Sequence, residues 1–471
     1  MHTIINAKNI LLQNKRIDLI SKFTYIKKNF LYNTEFYKDL YCAFIQAFNG
    51  FCEKPSKNEK TKIGKEAFIN SFDELYNSIK TNGFDESKAI PVYNNELCDG
   101  AHRFAICCAL DINIPITQAD KPKYIYDYKF FKERNINETY LDYCALEFVK
   151  MNTNSYIVNL HATNDIKKDK QVEEILNKYG YIFYKKDIWL NYNGYVNIKK
   201  LSYGSDNWGK ESWIGTSKNN YKGAQRHAKK SYGDGKNPLR AYVFICDNID
   251  KVIQAKAEIR EIFKIGNESV HINDSRQEAI ELAQTYFNNN SINFINSRPF
   301  NVDTFKLDDF ISELKSEIKK QNVDIDEICA SGSSPLAAFA IREIKDLDYI
   351  YCGNKSFTPM NNDISEHEGT WLQYYQQSKD EIINNPKYHF YYKGIKFITL
   401  EVLKQMKLNR NEVPKDVDDV NMINKFLSGS FKVNKRQFKK FHIIKKEKYG
   451  LNRTIILFGF IKFSYKKKIK E

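Results

Sequence analysis

The chain has 471 residues, of which 42% are hydrophobic and 14% aromatic, so it is long enough for two or three domains with buried cores. Its net charge of +15 is concentrated in residues 432–471, which hold 14 Lys and Arg against two Asp and Glu, while the remaining residues carry only +3. A nearly neutral body excludes the broad basic surface of a typical nucleic-acid-binding protein, and we expect no nucleic acid partner.

The nine cysteines form no CxxC pair, and most lie in apolar runs. This usage is typical of reduced, buried thiols and offers no zinc-ligand spacing. No stretch approaches the roughly 18 apolar residues of a transmembrane helix, and the amino terminus lacks the apolar core of a signal peptide. These features predict a cytoplasmic protein.

Residues 1–85 are predicted to form a helical amino-terminal region. Apolar residues recur at spacings of three and four from Tyr37 to Phe48 and again from Phe68 to Ile79. This periodicity is typical of amphipathic helices, and we assign these helices a packing role.

Residues 86–150 contain a compact motif, IPVYNNELCDGAHRFAICCALDINIPI at positions 90–116, which predicts strand, turn, helix and strand. The motif resembles the ParB/sulfiredoxin-like fold, in which a Gly-x-His-Arg turn at a helix N-terminus holds a phosphate or nucleotide. The resemblance implies a phosphate site formed by Asp99, Gly100, His102 and Arg103.

The chemistry of these residues agrees with a phosphate site. Gly100 allows a close approach of the backbone, the helix N-terminus offers free N–H groups, and Arg103 adds a forked donor. Ala101 stands where a cysteine would be needed for sulfiredoxin chemistry, which argues against that activity. The alternative is a degenerate module in which Arg103 pairs with an acid.

Residues 151–320 are predicted to form an α/β middle domain. Ala241–Cys246 is a buried strand followed by a helix to Phe263, and Val270–Asn288 gives strand, turn and helix. Residues 201–234, rich in Gly, Asn, Ser and Lys, predict a long surface loop.

The turn within that last segment is open to two interpretations. His271 and Asp274 could belong to an acceptor or phosphate site. Alternatively, Asp274 or Ser275 caps the helix, with Glu278 completing a capping box, and His271 is an ordinary strand residue. The cap is the preferred interpretation.

Residues 321–427 contain ICASGSSPLAAFAIREIKDLDYIYC, positions 328–352, which predicts strand, tight turn, helix and strand. Because residues i and i+2 of a strand share a face, Asp346 and Asp348 lie side by side and Leu347 faces the core. Two such carboxylates repel unless a cation lies between them. Mg²⁺, held by one or two carboxylates and substrate phosphates, fits this arrangement.

Gly-Ser, a helix and Asp-x-Asp opening a strand resemble the signature of DNA polymerase beta-type nucleotidyltransferases. Residues 394–423 also resemble the segment that closes many small members. The resemblance implies a mixed sheet with helices and Mg²⁺ as cofactor on Asp346 and Asp348. It implies nucleotide phosphates on Gly332, Ser333 and Ser334.

The sequence departs from this family in its third carboxylate, because the late apolar strand at 395–400 contains no acid. Asp363, Glu366 and Glu401 are the available substitutes. The alternative is that the Asp pair only caps or turns the chain.

Two nearby features could contribute to the same site. Lys404, with Lys407 and Arg410, could reach a triphosphate from the helix at 400–408, or could form a solvated face. His367 could approach the metal, although a solvated loop histidine is the preferred interpretation.

Residues 428–471 form a basic tail with an apolar patch at 454–461. It suits a peripheral anchor on the inner face of the cytoplasmic membrane. Its Arg453, Ile455, Gly459, Ile461 and Lys462 resemble the ending of bacterial capsule and lipooligosaccharide transferases. The alternative is a terminal β-hairpin with a frayed basic end.

Together these features predict a multidomain α/β (α+β) protein that acts as a transferase of capsular or surface polysaccharide biosynthesis. The expected reaction is Mg²⁺-dependent nucleotidyl or phosphoryl transfer from a nucleotide or nucleotide-activated donor to a sugar or small acceptor. One alternative is a glycosyltransferase that uses a nucleotide sugar. Another is a non-enzymatic, ParB-like DNA-binding protein.

Overall fold

A computed structural model describes residues 3–53, 61–204, 213–435, 437–438, 444–449, 452–457 and 461–466. More residues lie in helices than in strands, and the strands are distributed over several separate sheets. The predicted multidomain α/β class is confirmed. Among the described residues, no helix combines the length and the apolar character needed to cross a bilayer.

The amino-terminal part is built around a four-stranded sheet of order β1-β6-β4-β5. Its described elements are β1 (Thr3–Asn6), α1 (Ala7–Leu11), α2 (Asp18–Lys28), α3 (Phe36–Asn49), β2 (Cys52–Glu53), β3 (Lys62–Ile63), α4 (Lys65–Asn82), β4 (Ile90–Tyr93), β5 (Glu96–Leu97), α5 (Ala101–Leu110), β6 (Asn113–Gln118), α6 (Tyr128–Lys132) and α7 (Glu138–Met151). Strand β1 pairs antiparallel with β6, so the helical region and the motif at 90–116 share one sheet.

The middle part contains a second four-stranded sheet. Its described elements are β7 (Ser155–Leu160), α8 (Asp169–Tyr179), β8 (Tyr181–Ile188), α9 (Tyr192–Gly204), α10 (Lys222–Tyr232), β9 (Leu239–Ile245), α11 (Ile249–Phe263), β10 (Val270–Ile272), α12 (Arg276–Tyr286), α13 (Asn289–Ser297) and α14 (Phe305–Lys320). The sheet order β10-β7-β9-β8 is antiparallel throughout. With α8 and α11 as crossovers, the strand order matches the β-α-β-β-α-β ferredoxin-like motif, into which α9 and α10 are inserted between β8 and β9.

The two faces of this sheet are covered differently. Val158 and Leu160 of β7 are fully buried in one apolar cluster with residues of α8 and α11. Ile157 points the opposite way into the main core of the molecule. Because strand residues alternate, Asn159 follows Ile157 onto this second face, beside α12.

The prediction of a surface loop at 201–234 is wrong for the carboxyl-terminal part of this segment, because α10 runs from Lys222 to Tyr232. Ala224, Ala228 and Ser231 are buried along one side of this helix. Spacings of four and three place them on one stripe, and the charged residues between them face solvent. The high polar content of the segment therefore reflects an amphipathic helix.

The carboxyl-terminal part holds a mixed five-stranded sheet of order β13-β12-β11-β15-β14. Its described elements are β11 (Ile328–Ala330), α15 (Ser334–Ala338), β12 (Leu347–Tyr351), β13 (Ile364–Glu366), α16 (Lys379–Asn384), β14 (His389–Tyr392), β15 (Ile395–Ile398), α17 (Leu400–Arg410) and α18 (Lys415–Leu427). Strand β11 is central, antiparallel to β12 and parallel to β15. Its three residues, Ile328 to Ala330, are fully buried.

The described backbone of the tail forms an antiparallel meander of β16 (Ile444–Tyr449), β17 (Asn452–Leu457) and β18 (Ile461–Lys466). This backbone is close to the terminal hairpin considered as an alternative. Gly459 and part of the apolar patch lie outside the described residues, so membrane association of the tail stays a prediction.

A network of charged side chains connects the amino-terminal helices to the carboxyl-terminal sheet. Lys150 Nζ on α7 donates at 2.9 Å to both carboxylate oxygens of Asp326 and lies 3.1 Å from Glu147 Oε1. Lys28 on α2 donates to Glu147 at 2.8 Å, and Lys396 on β15 donates to the Asp326 carbonyl at 2.6 Å. Four separate segments therefore meet at one group of charges.

These charges influence one another strongly. Burial alone would raise the pKa of Asp326, but Lys150 and Lys396 outweigh it and hold the pKa well below its usual range. Burial would also raise the pKa of Glu147, but the charges of Lys150 and Lys28 outweigh burial and lower this pKa. Because both carboxylates have depressed pKa values in the folded state, their stabilisation is present at neutral pH and is lost as the pH falls through the acid range.

Replacing Lys150→Met should lower the free energy of unfolding by ~2–3 kcal/mol at pH 7, because it leaves two carboxylates without their main partner. The loss should shrink as the pH falls, since protonated carboxyls no longer need Lys150. Urea unfolding at several pH values measures both effects. Lys251→Met is the matched control, because the Lys251–Asp247 pair lies on the exposed surface and its loss should leave stability nearly unchanged. Equal losses in the two variants would contradict the prediction.

Candidate functional site

The Gly-Ser turn lies directly against the Asp-x-Asp strand. Ser331 N–H donates to the Asp348 carbonyl at 2.8 Å, and Gly332 adopts a left-handed φ of 54°. A β-carbon on Gly332 would lie only 2.0 Å from Asp348 Oδ2. Glycine is therefore required here both by the backbone conformation and by the nearby carboxylate.

The two aspartates differ in environment. Leu347 is fully buried, so the predicted alternation is confirmed, while Asp346 is exposed and Asp348 is partly buried. Asp348 pairs in register with Ser365 of β13, whose hydroxyl is 3.5 Å from Asp348 Oδ1. Asp346 immediately precedes β12 and Asp348 is the second residue of that strand.

His367 is the main side chain beside Asp348. Its Nε2 lies 3.3 Å from Asp348 Oδ1, and its backbone N–H donates to the Tyr349 carbonyl at 2.7 Å. The ring is only 7% exposed and stacks on Trp371 with centroids 4.9 Å apart. The preferred interpretation of a solvated loop histidine is therefore wrong, because β13 and the following turn bring His367 back over β12.

Asp346 and Asp348 are the candidate ligands of the predicted Mg²⁺. Two neighbouring carboxylates suit a single Mg²⁺ that also binds substrate phosphates. A site with three carboxylates does not fit, since the described residues contain no group of three or more His, Cys, Asp or Glu able to hold a metal. Asp363 immediately precedes β13 but is exposed and does not complete such a group.

The serines of the turn have different tasks. Ser334 is fully buried, and its hydroxyl donates to the Ser331 carbonyl at 2.7 Å, which closes the turn. Ser333 Oγ accepts a 2.7 Å hydrogen bond from Arg342, a residue that sequence analysis did not select. Arg342 also donates to Asp419 at 2.6 Å. A guanidinium therefore stands beside the turn and could contact a phosphate.

The basic residues of α17 form part of a buried ion network. Lys407 is 1% exposed and lies 3.0 Å from Asp416 and 2.7 Å from Asp419. Arg410 also pairs with Asp416, at 2.7 Å. These contacts hold α17 against α18, so Lys407 is neither a free phosphate ligand nor part of a solvated face. Lys404 is half-buried and forms no ion pair with any described residue.

The Gly-x-His-Arg turn opens α5 in the predicted position. Gly100 has a left-handed φ of 75°, and Asp99 is exposed. Arg103 donates to the Lys88 carbonyl at 2.8 Å and folds over Gly100, whose β-carbon would lie 3.0 Å from Nη2. The interpretation that Arg103 pairs with an acid is wrong for the part of the chain that the structure describes, since Arg103 bonds there to the Lys88 carbonyl.

The His102 side chain packs against neighbouring aromatic residues. Its Nε2 lies 3.0 Å from the Tyr41 hydroxyl, and its ring contacts Phe72 edge-on at 4.7 Å. Burial, and then the nearby Lys22, hold the pKa of His102 well below its usual range. The imidazole is therefore neutral, which weakens its suitability as a phosphate ligand.

A charged triad that sequence analysis missed lies behind this turn. Asp18 accepts from Arg16 at 2.9 Å and from Lys22 at 2.7 Å, and all three side chains are nearly fully buried. Arg16 also donates to the Leu97 carbonyl at 3.2 Å. Two cations with one anion leave a net positive charge next to the start of α5.

A second polar cluster lies on the inner face of the middle sheet. Lys199 Nζ is 2.8 Å from His161 Nε2, and His271 Nε2 is 2.6 Å from Glu278 Oε1. Ser275 caps α12 as predicted, while Glu278 also accepts from the Asp274 N–H at 3.2 Å. His271 is therefore more than an ordinary strand residue, since it is buried and paired with an acid.

Several buried polar atoms around this cluster find no protein partner. They are both side-chain atoms of Asn159, Nδ1 of His161 and of His227, Nε1 of Trp213 and Oγ of Ser231. Burial lowers the pKa of Lys199 to about 7. Burial, followed by Lys199, lowers the pKa of His227 to about 3. A cluster this rich in neutral bases is a second candidate site.

Comparison with known proteins gives little further information. No protein-family model matches the chain, and neither does any solved structure. A 105-residue stretch is 34% identical to part of a protein named lacto-N-biosidase from Bifidobacterium bifidum. That stretch is 22% of this chain and 9% of the relative, so the chain spans less than a tenth of the relative's length. The two family resemblances stay predictions.

Gly332→Ala should destabilise the protein and disturb the Asp348 face. The left-handed φ alone costs ~1–2 kcal/mol, and the contact with Asp348 adds about 1–3 kcal/mol of overpacking. Gly266→Ala is the matched control, because Gly266 has a φ of 61° but open space around its β-carbon position. Urea unfolding should show a clearly larger loss for Gly332→Ala, and equal losses would contradict the proposed contact.

The lowered pKa of Lys199 predicts a pH-dependent stability. The unfolded lysine keeps its proton up to about pH 10.5, whereas the folded one loses it near 7. The unfolded state therefore binds more protons in this window, and the free energy of unfolding should rise with pH. One proton corresponds to about 1.4 kcal/mol per pH unit. Lys199→Met should flatten this rise, and an unchanged slope would show that Lys199 titrates normally.

Proposed function

We propose that the protein is a transferase that binds a nucleotide or nucleotide-activated donor at the turn between β11 and α15. The observation that supports this most directly is the contact between Gly332 and the Asp348 carboxylate. It puts the Gly-Ser turn, in which Gly332 is buried and Ser333 half-buried, against the Asp348 carboxylate, a hard oxygen ligand, with the exposed Asp346 two residues before it. Donor phosphates and their counter-cation require that combination.

The residues around the turn would share the work of binding phosphates and metal. The backbone of Gly332 and Ser333 seats the phosphates, and Arg342, which bonds to Ser333 and pairs with Asp419, holds the turn in place. Asp346 and Asp348 would hold Mg²⁺. When bound, Mg²⁺ offsets phosphate charge as it develops in the reaction. His367 orients the Asp348 carboxylate, while exposed Asp346 stays open to the ligand.

The proposed reaction is nucleotidyl or phosphoryl transfer to a hydroxyl of a sugar or small acceptor. The acceptor oxygen forms the new bond to phosphorus, and the bond to the phosphate leaving group breaks. The second candidate is glycosyl transfer from a nucleotide sugar, which the resemblance of the tail to capsule transferases favours. In both cases we place the protein in surface-polysaccharide assembly, with its tail of net charge +12 held at an anionic membrane surface.

A thermal-shift panel tests the donor site. The four nucleoside triphosphates and common sugar nucleotides would each be added with and without Mg²⁺. A ligand at 100 times its Kd adds about 2.7 kcal/mol of stability, so one donor should raise Tm by several degrees only when Mg²⁺ is present. Asp346→Asn/Asp348→Asn should abolish that shift, whereas Asp250→Asn, an exposed acid on α11, should keep it.

The products then separate the two reactions. Release of pyrophosphate indicates nucleotidyl transfer, and release of a nucleoside diphosphate indicates glycosyl transfer. A shift that survives in the Asp346/Asp348 double variant, or the lack of a shift with any donor, would overturn the assignment of this surface. Attention would then move to Arg103 and the amino-terminal module.

A further inference from the structure

A large cavity lies apart from the Gly332–Asp348 surface, between helices α9, α13 and α14 and the β14–β15 hairpin. Its volume is about 470 Å³, which lies within the usual range of small-molecule sites, roughly 300–1,000 Å³. It adjoins the carboxyl end of α15, because Arg298 in its wall donates to the Ala338 carbonyl at 2.9 Å. The Gly-Ser turn is at the opposite end of that helix.

Two cations in the cavity wall have only neutral partners. Lys200 Nζ donates to the Phe300 carbonyl at 2.7 Å and lies 3.6 Å from the centroid of the Tyr221 ring. Arg298 is 7% exposed, donates to carbonyl and hydroxyl oxygens, and lies 4.7 Å from the Tyr392 centroid. Neither side chain forms an ion pair with any residue in the described ranges.

The nearby carboxylates are already used by other groups. Asp303 accepts a short hydrogen bond from the Tyr221 hydroxyl. Asp308 pairs with Lys393 at 2.8 Å and accepts from the Tyr392 hydroxyl at 3.0 Å. Glu281, the third carboxylate of the wall, accepts from Gln277 at 2.8 Å. The wall therefore holds one more cation than carboxylate, an excess that an anionic ligand would balance; the cations are Lys200, Arg298, Lys315 and Lys393.

The titration of Lys200 is consistent with this imbalance. Burial, and then the positive charge of Arg298, lower the pKa of Lys200 to about 7. Asp303 and Asp308 act in the opposite direction, and Lys393 adds to the lowering. An anion bound beside Lys200 would raise that pKa again.

A neutral polar group also faces the cavity without a partner. Gln284 lines the wall and is 3% exposed, yet its side-chain carbonyl oxygen accepts no hydrogen bond. A buried acceptor of this kind normally has a donor, and a ligand hydroxyl would supply one. Tyr221 and Tyr392 also line the wall, each with a cation over one ring face, and such a mixed aromatic and polar lining is typical of small-molecule sites.

We propose that this cavity binds an anionic monosaccharide, a sugar that carries a phosphate or a carboxylate. Its anionic group lies between Lys200 and Arg298, and one of its hydroxyls donates to the Gln284 carbonyl. The site is separate from the proposed donor surface, so either assignment can fail without the other.

Isothermal titration calorimetry on the full-length protein tests this assignment with four probes: glucose 6-phosphate, glucuronate, glucose and inorganic phosphate. One of the two anionic sugars should bind, glucose should not, and inorganic phosphate should bind more weakly than the sugar. Which anionic sugar binds identifies the acidic group. Lys200→Gln should weaken binding about tenfold or more, the loss of a charge-assisted hydrogen bond.

Two further variants distinguish a loss of sugar binding from a loss of folding. Gln284→Met removes an acceptor that has no partner in the protein, so it should leave Tm unchanged and weaken binding about threefold to tenfold. Lys306→Gln, on the exposed side of α14, should bind like the wild type. Near pH 8 binding should take up a proton, seen as a heat that depends on the ionisation enthalpy of the buffer, and Lys200→Gln should lose this uptake.

Three results would overturn the assignment. The first is glucose binding as tightly as either anionic sugar, and the second is equal affinity in Lys200→Gln and Lys306→Gln. The third is the absence of binding by all four probes at millimolar concentration. The Asp346→Asn/Asp348→Asn double variant should bind the sugar normally. Failure of the proposed donor site therefore cannot be mistaken for any of these three results.

Discussion

The ion pair between Lys150 and Asp326 is the contact on which the arrangement of the molecule depends. Lys150 extends from α7 at the end of the amino-terminal part, and Asp326 lies just before β11, the central strand of the carboxyl-terminal sheet. Lys28 and Lys396 extend the same network to α2 and β15. Partly buried charges are stabilised by their partners, so the docking of each of these segments favours the docking of the others.

That docking also sets the surroundings of both proposed sites. Strand β11 leads into the Gly-Ser turn, and β15 with β14 forms the hairpin that closes the cavity. The sugar cavity and the donor surface are thus built on opposite ends of α15. An acceptor sugar and a nucleotide donor could be held by one rigid element, which favours precise positioning of reacting groups.

Helix α9 illustrates how neighbouring residues acquire different tasks. Lys199 and Lys200 are consecutive, and successive helical residues point about 100° apart. Lys199 enters the histidine cluster of the middle sheet, and Lys200 lines the cavity. Both have lowered pKa values, of about 7, yet the first is enclosed by imidazoles and the second faces a cavity with an unbalanced positive charge. Two lysines with similarly lowered pKa values therefore face two different sites.

Much of the local structure could be predicted because it depends on short-range patterns. Leu347 faces the core between two surface-directed aspartates, Ser275 caps α12, and Gly100 opens α5 in a left-handed conformation. In each case, residue spacing and backbone preference act within a few positions of the chain. The amphipathic stripe of α10 was missed, since its buried residues are only alanine and serine and its polar content is high.

The α/β class, the Gly-Ser turn, the Asp-x-Asp pair and the positive charge of the tail could all be inferred from residue order and composition. The tertiary structure was needed to show that His367 is buried beside Asp348, that Lys407 belongs to a buried ion network, and that Arg342 lies at the turn. It also decided that Lys200, Gln284 and Arg298, spread over about a hundred positions, line one cavity. The physical reason is that burial and charge pairing depend on which distant segments come together, and no local pattern specifies that.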